Sequence, residues 1–478
     1  MADEATEETA LLQDVSSAHL PLLRNFISRL NSITPENLVQ TDVLQPAQLS
    51  NHRALRTSFS IIVLLLFREQ KTREKASQYS PWDDWKHELL TDQWVKTIDE
   101  NIEQIWTTFL GTFCSSRDVE IVLWTEFLVD EKGKAFRVID FVSKHPKLLN
   151  DRVVELALKY RWKGGALLDP SSSRQYLTSR YDVLCTPWIY HSFDLASQIA
   201  FLLLLIFYVL NPPHPAFFSL PLEYIGYREV VLIVLSIAAI LHSWTASMPF
   251  ALTLAAFVLN LPSAPLPSEY SFNILLLSLV LLLIQLHLPL CPSPFLLIRP
   301  ERCLPLAALI VNSVFGPIMK VLLFFLPVLF LSVLFLSYAL SDVFLVSSFV
   351  LVPAPIPTRE LFFILVASTF IIILLSVLVL VPTSISYVRG YSSWDQYSAS
   401  NGQMARAQFY RSVVRYSKPY PFPPPFNILY FVFILVPAKV LPYFDISNSF
   451  LSILEKILWR AIVGPFVVIV RFLTLGLS

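Results

Sequence analysis

Charge is scarce in this sequence. Only 15% of its 478 residues are charged, while 54% are hydrophobic. Soluble domains carry about 25% charged residues, so the shortage argues against an ordinary soluble protein and for a membrane protein. Lys and Arg together balance Asp and Glu, 36 against 36. A net charge of zero gives no reason to expect a nucleic-acid partner. Cysteine is scarce as well. Cys114, Cys185, Cys291 and Cys303 stand far apart and form no CxxC pair, so neither a zinc site nor a disulfide scaffold is indicated. No N-x-S/T acceptor occurs. The opening "MADEATEETALLQD" has no apolar core, so no cleaved signal peptide is expected and insertion begins from an internal helix.

Catalytic patterns are missing too. The eight histidines are scattered, and no HExxH, GxSxG, GxGxxG or P-loop spacing is present. The acid pairs Asp83-Asp84, Asp99-Glu100 and Asp130-Glu131 lie in charged stretches and read as solvated helix faces. No loop has EF-hand spacing. The sequence is not expected to encode an enzyme, and no cofactor or bound metal is expected.

What the sequence does contain divides into two halves. Residues 1–20 form an acidic tail expected to be disordered. Residues 21–185 hold most of the charge, and apolar residues recur there at helical spacing, as in "TIDENIEQIWTTFLGTF" (Thr97–Phe113) and "DRVVELALKYRW" (Asp151–Trp162). The run "FSIIVLLLF" (Phe59–Phe67) is strongly apolar. It is too short for the roughly 20 residues a span needs, so it reads as the buried core of a helix. This block is expected to be a cytosolic helical domain, with Trp82, Trp85, Trp94, Trp106, Trp124 and Trp162 in its core.

From Phe193 onward long apolar runs take over. Candidate spans are 193–210, 229–247, 249–265 and 272–290, then 318–341 and 360–385. Pro262 interrupts the third. A helix over 304–315 is expected to lie on the membrane surface, because Gly316-Pro317 breaks the chain before the fifth span. His242, Trp244, Gln285 and His287 sit near span ends and are expected to reach the interface, and Lys320 to snorkel to it. Arg174 and Arg180 precede the first span, Arg299 and Arg302 follow the fourth, and Arg389, Arg406, Arg411, Arg415 and Lys418 follow the sixth. Six spans put all three clusters on one side, so both termini are expected in the cytoplasm. Arg228 and Arg359 are the exceptions on the other side. The segment 386–478 is expected to be a cytosolic and interfacial tail. Within it, Lys456, Arg460 and Arg471 are spaced through apolar residues, which suits an interfacial helix with snorkelling bases. A hairpin entering the membrane over 427–476 is the alternative.

The expected fold class is therefore all-α: a soluble helical N-terminal domain, a six-helix transmembrane channel-like domain over 193–290 and 304–385, and C-terminal interfacial helices. This layout and the segment "PYPFPPPFNILYF" (Pro419–Phe431) together resemble the transient receptor potential (TRP) superfamily, and among its members the fungal vacuolar calcium-release channel and its relatives. The fourth span, "FNILLLSLVLLLIQLHLPL" (Phe272–Leu290), is similar in lacking the regularly spaced arginines of a voltage sensor. The resemblance implies a tetrameric cation channel in an endomembrane, a homo-tetramer or a hetero-oligomer, with the lipid bilayer and cations as its partners.

Under that resemblance, "DVFLVSSFVLVPAPIPTRE" (Asp342–Glu360) is where an ion filter sits. It has no glycine, and its charges lie only at its ends. Asp342 and Glu360 are candidate acidic rings at the pore mouth. Ser368, Thr369 and Ser376 share one face of the sixth span and are pore-lining candidates; small residues for helix packing are the other reading. No acid lies where a calcium-selective filter places one, so weak selectivity is expected. Glu7 with Leu11 and Leu12 matches an acidic dileucine signal resembling those that route membrane proteins to vacuoles. The rival readings are a non-conducting scaffold or regulatory subunit, and a small-solute transporter.

Overall fold

The computed structural model describes residues 52–73, 81–165 (apart from 113 and 130–134), 181–212 (apart from 183), 226–312 (apart from 244–246, 262, 266–269 and 289–290), 392–440 and 449–474, together with Leu23, Phe26 and Ile27. Within them the chain is helical, with one two-stranded antiparallel pair, β1 (Phe127–Leu128) and β2 (Ala135–Phe136). It divides into two compact units: residues 1–285 with 409–478, and residues 286–408.

The first unit begins with α1 (Arg53–Arg73). As expected, Phe59–Phe67 is its core: Ile61, Ile62, Val63 and Leu64 are fully buried. Because neighbours surround α1, its polar groups bond inward, and Ser58 Oγ donates to the Val122 carbonyl at 2.8 Å. α2 (Pro81–Leu110) runs beside it. Its buried residues Ile98, Ile102, Trp106 and Phe109 recur at helical spacing. Arg68 Nε donates to Asp99 Oδ1 at 2.8 Å, and His145 Nε2 lies 3.0 Å from the same oxygen.

The tryptophans split. Trp106 and Trp162 are buried as expected, and Trp94 and Trp124 are half-buried. Trp82 and Trp85 are not core: they are 73% and 54% exposed. The reason is length. α2 has 30 residues and its partner α1 only 21. Trp94 meets Phe67 near the end of α1, so the first turns of α2 overhang it.

α3 (Ser116–Trp124) starts with a capping box between Ser115 and Asp118. Two single turns follow, α4 (Ile139–Val142) and α5 (Pro146–Leu149). α6 (Arg152–Gly164) is capped by Asp151, which accepts from the Val153 and Val154 amides, and stops at Gly165 with φ 80°, a conformation glycine adopts without penalty.

α7 (Pro187–Leu210) has Thr186 as its cap and proline at its first turn. Its 24 residues extend about 36 Å at 1.5 Å each, more than the roughly 30 Å hydrocarbon layer. Among the described residues it is the one helix long and apolar enough to cross a membrane. The next three expected spans appear as shorter helices: α8 (Tyr227–His242), α9 (Met248–Asn260) and α10 (Tyr270–His287). α8 stops at Ser243, which is extended, and Pro249 stands in the first turn of α9. Polar pairs tie these helices together: Tyr208 Oη donates to the Pro265 carbonyl at 2.8 Å, and Ser278 Oγ to that of Pro249 at 2.6 Å. The expected spans at 318–341 and 360–385 lie outside the described residues.

Within the second unit, α11 (Pro300–Ile310) takes the place of the helix expected over 304–315, starting earlier because Pro300 occupies its first turn. Trp394 is fully buried, and Asp395 receives Arg406 Nη2 at 2.5 Å. α12 (Ala399–Tyr416) begins in this unit and ends in the first.

The first unit then closes with α13 (Asn427–Val440), α14 (Ser449–Leu458) and α15 (Gly464–Thr474). Widened π turns occur at Phe431–Leu435 and Trp459–Val463. Each lies just before a proline, Pro437 or Pro465. Proline cannot donate to the carbonyl four residues back and its ring collides with it; a π turn relieves that collision without ending the helix.

Candidate functional site: a buried polar junction

A single carboxylate sits in α7. Asp194, two turns into α7, is 1% exposed. A buried charge persists only when it is paired and hydrogen-bonded. Two helices distant in sequence supply the partners. Tyr416 Oη, at the end of α12, donates to Asp194 Oδ2 at 2.8 Å. His242 Nε2, at the end of α8, lies 3.2 Å from the same oxygen. The Arg415 guanidinium adds its positive field. His242 therefore does not simply reach an interface, as its position near a span end implied.

Aromatic rings seal this triad. Tyr416 stands edge-on to Tyr190 and His191, at 5.1 Å and 5.2 Å between centroids. Trp162 of α6 meets His191 at 5.6 Å and Phe409 at 5.8 Å. The last two turns of α12 thus touch α7 on one side and the N-terminal block on the other, where Tyr410 Oη donates to the Leu149 carbonyl at 3.1 Å.

A second cluster lies beside it. Arg460 donates to both oxygens of Asp182, Nε at 2.9 Å and Nη2 at 2.6 Å. Such a two-pronged pair fixes orientation as well as distance. The hydrogen bonds it donates to Asp182 raise the Arg460 pKa. Tyr420 Oη donates to Asp182 Oδ2 at 3.0 Å; burial first, and then this bond and the Asp182 charge, push its phenol upward. Tyr420 holds a left-handed φ of 47°, which costs a non-glycine residue about 1–2 kcal/mol. The corner it makes turns the chain out of α12 into the proline-rich segment. That segment is bonded at both ends: Trp459 Nε1 donates to the Pro421 carbonyl at 2.8 Å, and Asn427 Nδ2 to that of Ala238 in α8 at 2.6 Å.

Between the clusters lies a cavity of about 220 Å³, lined by Tyr190, His242, Tyr416, Tyr420, Asn427 and Glu455 among others. Burial pushes the Glu455 carboxyl up, opposed by Lys456. Among the described residues no group of three or more His, Cys, Asp or Glu side chains is placed to hold a metal.

No protein-family model and no curated protein matches this chain. The junction must be read from its own geometry.

The residues expected to carry function from sequence lie elsewhere. Asp342, Glu360, Ser368, Thr369, Ser376, Glu7, Leu11 and Leu12 all fall outside the described residues, as do Trp244 and Lys320. Asp194 was missed, although a signal was present: it is the one acidic residue of α7, which carries no Lys or Arg. Tyr416 and the Asp182–Arg460 pair gave no local signal. Their partners are 222 and 278 residues away.

Proposed function

We propose that this chain is a TRP-like, non-voltage-gated cation channel subunit of a vacuolar or other endomembrane, with the end of α12 as its coupling element. The observation that carries the coupling is the Tyr416–Asp194 hydrogen bond. It ties the helix that follows the sixth expected span to the helix that forms the first. The same stretch of α12 holds the N-terminal block through Tyr410 and Phe409. A displacement of that block therefore reaches α7 through this short, polar and buried bond, alongside the direct ring contact of Trp162 with His191. Such a contact has two discrete arrangements, bonded or broken, which a gate requires.

Three features support the membrane and channel parts of the reading. α7 has the length and apolarity of a span. α10 carries no arginine, so a voltage sensor is not part of the proposal. The proline-rich segment that carries the TRP resemblance is the one that packs beside the junction. In this reading subunits assemble around a fourfold axis, with Asp342 and Glu360 at the mouth and Ser368, Thr369 and Ser376 along the pore.

The test is cation flux into liposomes holding the purified full chain. Flux above protein-free vesicles supports the channel. Tyr416→Phe is expected to change the flux rate while leaving the ratio of potassium to sodium permeability as it was, because the junction is remote from the proposed filter in the chain. Absence of flux with folded protein favours the scaffold, for which the lack of glycine and of an inner acid over 342–360 is the specific argument.

A further inference from the structure

α14 and α15 bury one stripe and expose the opposite one, and both stripes are apolar. Leu451, Trp459, Val463 and Val467 are buried. Trp459, Val463 and Val467 pack with Ile189 and Phe422, with Trp188 and Phe193 alongside. On the other side Phe450, Ile453, Ile457, Phe466, Ile469 and Phe472 are between 47% and 71% exposed. A run of large apolar side chains exposed along one face marks a surface that meets lipid or another protein, so something covers this second stripe.

The level at which the helix sits is fixed at two points. Arg460 is clamped to Asp182, just before the N-terminal cap of α7 at Thr186. Arg471 lines a groove of about 740 Å³ with Leu156, Tyr160 and Lys163 of α6. The α7 residues packed against the buried stripe, Trp188, Ile189 and Phe193, all belong to its first two turns. From Arg460 to Arg471 a helix advances about 16 Å, half the hydrocarbon thickness. The helix therefore stays beside the N-terminal end of α7 and does not follow α7 toward Leu210.

From this geometry we infer that residues 449–474 lie along the bilayer surface at the N-terminal end of α7, with the exposed stripe sunk into lipid. The occupant is the bilayer, because the stripe adjoins the base of α7, the one span-length helix among the described residues, whose own outer residues Leu203, Phe207 and Leu210 are exposed. Lys456 has a stem long enough to bring its charge to the headgroups. The structure thus favours a surface helix over a hairpin that enters the membrane. The inference rests on the membrane part of the proposed function and is independent of conduction.

Two experiments on the full chain in its membrane test it. First, p-benzoylphenylalanine is placed singly at Ile457, Ile469, Leu203 and Trp82, and membranes carrying clickable phospholipids are irradiated. Lipid adducts at 457 and 469 comparable to those at 203, and lost at 82, support the inference. Lipid at 203 with cross-links to a second copy at 457 and 469 overturns it and makes the stripe a subunit contact. Lipid at 203 with no adduct at 457 or 469 overturns it as well. No lipid at 203 removes the membrane reading itself, and the inference with it. Second, epitope tags within 441–448 and after Ser478 are probed by protease in sealed vesicles. Cleavage from the same side supports a surface helix; cleavage from opposite sides overturns it.

Discussion

Tyr416→Phe removes one hydroxyl and leaves the ring, so it isolates the bond to Asp194. The ring contacts with Tyr190 and His191 persist. A hydrogen bond to a charged group is worth about 1.5–3 kcal/mol. Asp194 is 1% exposed, so bulk water does not replace the lost donor. His242 remains 3.2 Å away, which keeps the loss below the roughly 3–5 kcal/mol of breaking a buried pair outright. At about 1.4 kcal/mol per factor of ten, local opening of the last turn of α12 becomes about 10- to 150-fold more frequent. Hydrogen exchange of the full chain in detergent, read by mass spectrometry over residues 409–416, reports that opening directly. In an Asp194→Asn background the same Tyr416→Phe change is expected to cost much less, since its charged acceptor has gone. Unchanged exchange over 409–416 in the single variant refutes the reasoning.

Three further outcomes are expected. Burial alone would raise the Asp99 carboxyl, but the adjacent His145 imidazole and the Arg68 guanidinium hold it below its ordinary value; its contribution is then present above the unfolded pKa of about 3.9 and lost as pH falls through the lower folded value. Asp99→Asn accordingly destabilises the chain by about 1–2 kcal/mol at neutral pH, and thermal melts show the difference from the parent vanishing in acid. Gly464→Ala drives a methyl group into the Tyr181 ring and displaces the Tyr181 hydroxyl from the Arg460 carbonyl; a loss of about 1–3 kcal/mol is expected, seen as faster proteolysis at Arg460 and Arg471. Asp342→Lys or Glu360→Lys reduces cation flux if that carboxylate rings the pore mouth, and unchanged flux in both variants places the filter elsewhere.

Local patterns were legible in the sequence, and long-range pairings were not. The apolar run at Phe59–Phe67 announced a buried helix because nine such residues cannot be solvated and cannot span. The run after Phe193 announced α7 for the opposite reason. The exposure of Trp82 and Trp85 was not legible, since it depends on α1 ending before α2 does. The junction was half legible: Asp194 is the one acidic residue of α7, but nothing near Tyr416 or His242 in the chain names them as its partners. The clamp of Asp182 by Arg460 was hidden for the same reason, because basic residues spaced through apolar ones signal a surface helix without naming an acid.

The most direct test of the channel proposal is the reversal potential of the purified chain in a planar bilayer under a potassium chloride gradient, with calcium then added to one side. A current that reverses near the potassium equilibrium potential and shifts little with calcium is the expected result, because 342–360 offers acids only at its ends. Reversal at the chloride potential, or a silent bilayer with folded protein confirmed, contradicts it.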